Sequence, residues 1–162
     1  MHIQAGDTDL LIRAANADDD EFIFGLIERF VEFDLPKWRK RAVVMEGIRA
    51  DLTRQLDEPS AGSFLFVAED DASGERVGLL HLQTVSDFFT GRQNCHVSDL
   101  AVARSHDGKG VGRALLDYAE RFAREHRYER LQLNVFPGNE RARKLYEDAG
   151  YGVDVLRLVK PL

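Results

Sequence analysis

The sequence predicts an α/β (α+β) protein built on one mixed, mostly antiparallel sheet flanked by about four helices, in the order β-α-α-β-β-β-α-β-α-β. Three observations carry this reading. Apolar residues recur at helical spacing up to about residue 57, then change to strand-like runs from residue 63. Three such runs follow one another with only turns between them, which favours antiparallel neighbours. A helical stretch then separates two further strands, a crossover that makes those two parallel.

Residues 10–13, LLIR, read as a short first strand. The next stretch, NADDDEFIFGLIERF, reads as a helix capped by Asn16, with Asp18, Asp19, Asp20 and Glu21 at the positive end of its dipole. Phe22, Leu26, Ile27 and Phe30 give its apolar spacing. After Pro36, a second helix over about 37–57 carries Val44, Ile48, Leu52 and Leu56 on one stripe. SFLFVAED and VGLLHLQTV form a hairpin across DASGER, and NCHVSDLAV (94–102) is the next strand. Val111, Leu115, Tyr118 and Phe122 mark the inner face of a helix ending near His126. RLQLNVF (130–136) is a strand broken by Pro137 and Gly138. Asn139 starts a helix with Ala142, Leu145, Tyr146 and Ala149, Gly150 stops it, and YGVDVLRLV reads as a last strand. No repeat or linker interrupts this order, so residues 1–162 are expected to form a single domain.

Composition narrows the function. A net charge of −6 argues against a general nucleic-acid binder and mildly favours a cationic partner. No apolar run approaches the ~20 residues of a membrane span, and the first residues lack a secretory pattern. The single cysteine, Cys95, excludes an internal disulfide framework; a cytoplasmic location is expected. The five histidines show no ligand-like spacing, so no metal site is expected.

The stretch RSHDGKGVGRALL (104–116) links a strand to a helix through Gly108, Gly110 and Gly112. Unpaired N–H groups at a helix start make an anion site, and glycine permits close backbone approach. Lys109 is followed by Gly110 rather than Ser or Thr, which excludes a P-loop, and Arg113 stands where a dinucleotide fingerprint needs its third glycine. On their own, the glycines fit a ligand cradle and a bare tight turn equally.

A second motif separates these alternatives. In NVFPGNERARKLYEDAGY (134–151), Asn139, Ala142 and Tyr146 fall at N-x-x-A-x-x-x-Y spacing, followed by Gly150 and Tyr151. With the glycine stretch upstream, the chain resembles the GNAT superfamily of N-acetyltransferases. The other family signature, Q/R-x-x-G-x-G/A, matches at Gly110 and Gly112 but has Asp107 at its first position. The resemblance implies acetyl-coenzyme A as cosubstrate, lying between strands 94–102 and 130–136. Backbone groups of Leu100, Ala101 and Val102 would bond its pantetheine arm, and N–H groups from Gly108 through Lys109, Gly110, Val111 and Gly112 to Arg113 would hold the pyrophosphate. Asn139 and Ala142 would lie beside the arm. Asp107 would repel the phosphates unless it points away from them, while Lys109 and Arg113 could offset its charge.

Acetyl transfer to a primary amine, by direct attack through a tetrahedral intermediate, needs a base for the ammonium and an acid for the departing thiolate. The resemblance makes Tyr146 the acid. His96 and Asp99 are the base candidates, Asp99 also as a partner for a cationic amine; Ser98 could relay a proton, and His81 reads as structural. Strict alternation puts His96 and Ser98 on one face and Asp99 on the other, and the bulge typical of this strand in the family would reverse that parity. Cys95 is a poor nucleophile candidate, because the family transfers directly to the amine. Phe30, Phe33, Trp38, Phe88 and Phe89 supply aromatic surface near the acceptor. The amine could belong to a small molecule or a peptide, and a homodimer is compatible with the family. A non-catalytic acyl-coenzyme A sensor on the same fold is the alternative.

Overall fold

The computed structural model spans residues 1–162. Its centre is a six-stranded sheet in sequential order, comprising β1 (His2–Ala5), β2 (Thr8–Ala14), β3 (Ser63–Asp70), β4 (Arg76–Ser86), β5 (Gln93–Val102) and β6 (Leu131–Leu133). Four pairings are antiparallel, and only β5 with β6 is parallel, as the intervening crossover requires. The helices are α1 (Asp20–Gly25), α2 (Arg41–Asp57), α3 (Val111–Glu125) and α4 (Glu140–Asp148).

Burial divides the sheet into two faces. On one, Leu10, Ile12, Leu80, Leu82, Cys95 and Val97 pack against Val111, Leu115, Ala119 and Phe122 of α3. On the other, Val67, Leu79 and Ala101 pack against Ile23, Leu26, Ile27 and Leu52 from the first two helical segments. Leu10, Ile12, Leu79, Leu80, Leu82 and Leu115 are fully buried. At about 25 cal/mol per Å2 of apolar surface removed from water, such side chains contribute about 1.5–3 kcal/mol each.

The structure corrects the sequence reading in three places. First, the strand expected at 10–13 is the second of the sheet and runs Thr8–Ala14: Gly6, at φ 58°, turns the chain so that β1 and β2 form a hairpin. Second, the first helix is interrupted. The capping box between Asn16 and Asp19 opens it as expected, but α1 closes at Gly25 and Ile27–Val31 tightens into a 3-10 turn. The acidic run is also more than a dipole partner. Asp19 is fully buried and accepts bonds from Arg13 Nη1 (2.7 Å) and Nη2 (2.8 Å) and from Arg76 Nε (2.5 Å), which tie the helix entry to β2 and β4. Arg13 above all holds the Asp19 carboxyl far below the usual carboxylate range. Third, β6 is only three residues long and 151–162 form no strand. An alternating sequence needs a neighbouring edge to complete its backbone bonds. Residues 152–162 make no backbone bond to β6, although the outer edge of that strand is free, and Val153, Val155, Leu156 and Leu158 remain exposed.

No helix is long and apolar enough to cross a membrane.

Candidate active site

β5 changes partners along its length. Cys95, His96 and Val97 pair with Leu131, Gln132 and Leu133 of β6, and there the parallel pairing stops. Residues 98–102 remain joined to β4 alone, so the strands part beyond Val97 and leave one edge of β5 open.

The register of β5 shifts where the strands part. His81 pairs with Asp99 and Leu82 with Val97, which leaves Ser98 as an extra, bulged residue. Cys95 and Val97 face α3, as do Leu100 and Val102 beyond the bulge, whereas Ala101 packs toward α1 and α2. Ser98 Oγ donates to Gln83 Oε1 at 2.7 Å. The bulge therefore brings His96, Ser98 and Asp99 to one face of the sheet. A cleft of about 340 Å3 opens there between α2 and β5, lined by Arg39, Val43, Val44, Gly47, Ile48, Asp51, Ser98 and Asp99.

The His81 imidazole, which the sequence offered only as structural, is fully buried behind Asp99. Its Nδ1 lies 2.7 Å from Asp99 Oδ2, and its Nε2 lies 2.9 Å from Ser63 Oγ. Asp51, His81 and Asp99 bring ligand-type atoms within 4.8 Å of one another, a grouping in space that linear spacing concealed. Both imidazole nitrogens are already engaged, so Ser63, His81 and Asp99 form a hydrogen-bond chain with Asp51 beside it. His96 differs. Its Nδ1 is buried with no partner, and burial chiefly holds its pKa below the ordinary imidazole value.

The glycine stretch forms the rim of the open edge. Gly108 (φ 76°) and Gly110 (φ 85°) adopt the left-handed conformation, and Gly110 caps α3. The backbone N–H groups of Gly108, Gly110, Val111, Gly112 and Arg113 have no protein acceptor. A Cβ on Gly108 would meet nothing within 4 Å, whereas one on Gly110 would press on the backbone of Ala5 and Gly6 at the β1–β2 turn. One on Gly112 would lie 3.2 Å from Leu145 Cδ2, so the third glycine makes room for α4. Free donors at the start of a 15-residue helix and an open strand edge fit a pyrophosphate and an extended amide-bearing arm.

Asp107 faces two arginines. Its Oδ1 accepts from Arg29 Nη2 at 2.5 Å and from Arg141 Nη2 at 2.9 Å. Arg141 first, then Arg29, holds the Asp107 carboxyl below its usual pKa. Arg29 also donates from Nε to the Val102 carbonyl at 2.9 Å and pairs with Glu32. The clasp joins the 27–31 turn, the glycine stretch and α4 across the open edge. Phe33 against Phe136, with ring centres 5.7 Å apart, and Gly138 against Asp34 add to the same closure.

The remaining expected residues are placed as follows. Asn139 caps α4, its Oδ1 accepting from Ala142 N–H at 3.2 Å. Arg113 is committed to Asp117 Oδ1 and the Asp148 carbonyl, and Lys109 forms no side-chain bond. Tyr146 lies with its ring centre 5.8 Å from that of Tyr151, and burial raises the pKa of both phenols. Phe30 packs into the α1/α2 core, Trp38 is half exposed, and Phe88 and Phe89 stack edge-to-face at an exposed turn. Cys95 is buried, its thiol pushed up to about 11, which agrees with its dismissal as a nucleophile.

Comparison with known proteins agrees with this geometry. The family model described as "Acetyltransferase (GNAT) family" matches residues 27–151. A mycothiol acetyltransferase of Propionibacterium freudenreichii subsp. shermanii is 38% identical over 112 residues, covering 69% of this chain and 34% of that protein. The chain thus spans about a third of that relative's length. YhfO of Bacillus subtilis, described as an uncharacterized N-acetyltransferase, is 29% identical over 143 residues, covering 88% of this chain and 90% of YhfO. Among solved structures, a ribosomal-protein-alanine N-acetyltransferase from Brucella melitensis biovar Abortus 2308 superposes with a TM-score of 0.68 at 23% identity, covering 94% of this chain and 99% of that one, and shares the fold. Glycine-rich helix start, parted strands and family match together show that the chain belongs to the GNAT family of acetyltransferases.

Proposed function

We propose that the protein transfers an acetyl group from acetyl-coenzyme A to the primary amine of a small cationic molecule or of a peptide. The observation that carries this reading is the adjacency of an open β5 edge, its rim of free N–H donors and a cleft bearing two carboxylates, Asp51 and Asp99. When bound, the cofactor supplies an acetyl thioester. Backbone donors from Gly108 to Arg113 would hold its pyrophosphate, and residues 100–102 would hold its arm. Asp107 is already engaged by Arg29 and Arg141, and the Val102 carbonyl by Arg29, so the arm would compete with Arg29 for that carbonyl.

The cleft receives the amine. An alkyl ammonium, pKa about 10, is attracted to Asp51 and Asp99 and must lose a proton before its nitrogen can attack. Asp99 accepts that proton. His96 is the alternative acceptor on the same face, although burial lowers its affinity for a proton below that of an ordinary imidazole. Tyr146 donates to the departing thiolate; its phenol keeps its proton at neutral pH. Arg39, over the face of Phe136 at 5.6 Å, stands at the cleft wall where an acceptor's carboxylate would find a cation.

The test is release of free thiol from acetyl-coenzyme A across a panel of amines, for the wild type, Asp99→Asn and Tyr146→Phe. Turnover of a cationic amine that falls by about 100-fold in either variant supports the reading. Tight cofactor binding with no turnover on any amine refutes it in favour of acyl-coenzyme A sensing. Failure to bind the cofactor refutes both.

A further inference from the structure

We infer that His81 is a positioning residue for Asp99, and that Ser63, His81 and Asp99 form one proton-responsive chain from β3 through β4 to the wall of the acceptor cleft. The inference rests on the proposed acetyl transfer and on Asp99 as its proton acceptor. It adds two residues, both hidden from the acceptor, that decide when Asp99 can act.

The geometry fixes the protons. Asp99 Oδ2, as a carboxylate oxygen, can only accept, so the 2.7 Å contact requires the hydrogen on His81 Nδ1. In the neutral ring Nε2 is then an acceptor, and Ser63 Oγ, 2.9 Å away, donates to it. Every polar atom of a fully buried imidazole is thereby satisfied. The Ser63 hydroxyl can also rotate and accept. If His81 gains a second proton, Nε2–H donates to Ser63 instead, and the ring remains fully bonded. A buried side chain with matched partners in both charge states can change state without stranding a polar atom.

The surroundings give that change its effect. The charged and titratable groups facing His81 are Asp99 and His96 on β5 and Asp51 on α2; Ser63 on β3 does not titrate. Neutral His81 orients the Asp99 carboxylate and leaves Oδ1 free for the cleft. In the reaction an N–H bond of the acceptor ammonium breaks, its proton passes to Asp99 Oδ1, and the freed electron pair stays on nitrogen for attack. The proton then leaves Asp99 through the cleft to water. Protonated His81 instead faces Asp99 as a full cation, which stabilises the carboxylate against taking up that proton. The chain therefore makes transfer sensitive to acid.

Three variants test this: His81→Asn, whose side-chain N–H reaches Asp99 from the place of Nδ1 without titrating, His81→Ala, and Ser63→Ala. Cofactor affinity and thermal unfolding are measured alongside as checks on folding. His81→Asn is expected to keep most of kcat while the acid limb of its kcat–pH profile moves to lower pH. His81→Ala is expected to lose about 100-fold in kcat with KM and cofactor affinity unchanged. Ser63→Ala, which strands Nε2–H of the charged ring, is expected to move the acid limb in the same direction as His81→Asn. An acid limb identical in wild type and His81→Asn overturns the inference, as does full kcat in His81→Ala. Activity that vanishes with a chelator and returns with zinc or manganese also overturns it, because Asp51, His81 and Asp99 would then be metal ligands. If Asp99→Asn alone proves fully active, the underlying assignment of the base has failed, and that result is distinguishable from a failure at His81.

Discussion

Three glycines around the open edge differ in why they are glycine, and alanine at each separates backbone conformation from space. Gly108 has φ 76° with nothing near its absent side chain, so Gly108→Ala carries conformational strain alone. A left-handed non-glycine residue costs about 1–2 kcal/mol, partly offset by the smaller freedom of the unfolded alanine chain, for a net of about 1 kcal/mol. Gly138 carries no left-handed strain, but its Cβ would lie 2.2 Å from the Asp34 carbonyl oxygen, so Gly138→Ala is steric alone. Backbone must separate by roughly an ångström, at the cost of about 1–3 kcal/mol typical of overpacking. Gly110 combines φ 85° with contacts of 3.3 Å to Gly6 N and 3.4 Å to the Ala5 carbonyl carbon, and its cost should be about 2–3 kcal/mol. For a chain of this size each 1 kcal/mol lowers Tm by about 2–4 °C. Thermal unfolding with cofactor titration is the assay. Gly138→Ala should also weaken cofactor binding, because it pushes the turn carrying Asn139 away from the 27–34 segment. Equal stability losses at Gly108 and Gly110 would refute the role given to the β1–β2 turn. A neutral Gly138→Ala would refute the closure at Asp34.

Three further outcomes follow from charge and burial. Asp107→Asn removes a carboxylate beside the free N–H groups and releases Arg29 and Arg141, so cofactor affinity measured by calorimetry should rise by about threefold to tenfold at low salt and less at high salt; weaker binding would mean the arginines need Asp107 to hold them in place. Cys95, buried with its thiol near 11, should be inert to a thiol reagent in the native protein and react once in denaturant. Burial depresses the pKa of His96 in the folded state, so the unfolded chain takes up a proton that the native protein refuses. Stability should therefore be full above the ordinary imidazole value of about 6.5 and decline as pH falls below it, and His96→Gln should flatten that decline in denaturant titrations.

The legible parts of the fold were those where local pattern and tertiary environment agree. The apolar stripe of α3 and the runs of β3 to β5 each faced one core, and their bounds matched the sequence to within a residue or two. The β1–β2 hairpin escaped because β1, before the turn Ala5-Gly6-Asp7-Thr8, is only four residues long and too short to show clear alternation. YGVDVLRLV carried a strand pattern and the outer edge of β6 was open to it, so the local pattern did not by itself decide the pairing. At the site, the glycine rim and the Asn139 cap were visible because backbone conformation constrains residue type. The Asp107 clasp joins residues 78 and 34 positions apart, and the His81 chain joins residues 18 positions apart. Neither leaves a trace in spacing. What could have pointed to His81 was the expected antiparallel pairing of VGLLHLQTV with the next strand, 94–102, which carries Asp99.

The extra residue in β5 has a consequence for how the protein can change. Ser98 is a single extra residue in the pairing with β4: Val97 stays opposite Leu82 and Asp99 opposite His81 on either side of it. Deleting Ser98 would close the ladder without moving either partner, so Asp99 would keep facing the cleft and Leu100 the apolar layer under α3. A residue gained or lost elsewhere in the strand has no such slack, and unless it bulges in turn it carries the residues beyond it to the opposite face. The bulge is thus the place where this strand can change length and leave its wall of the cleft as it is.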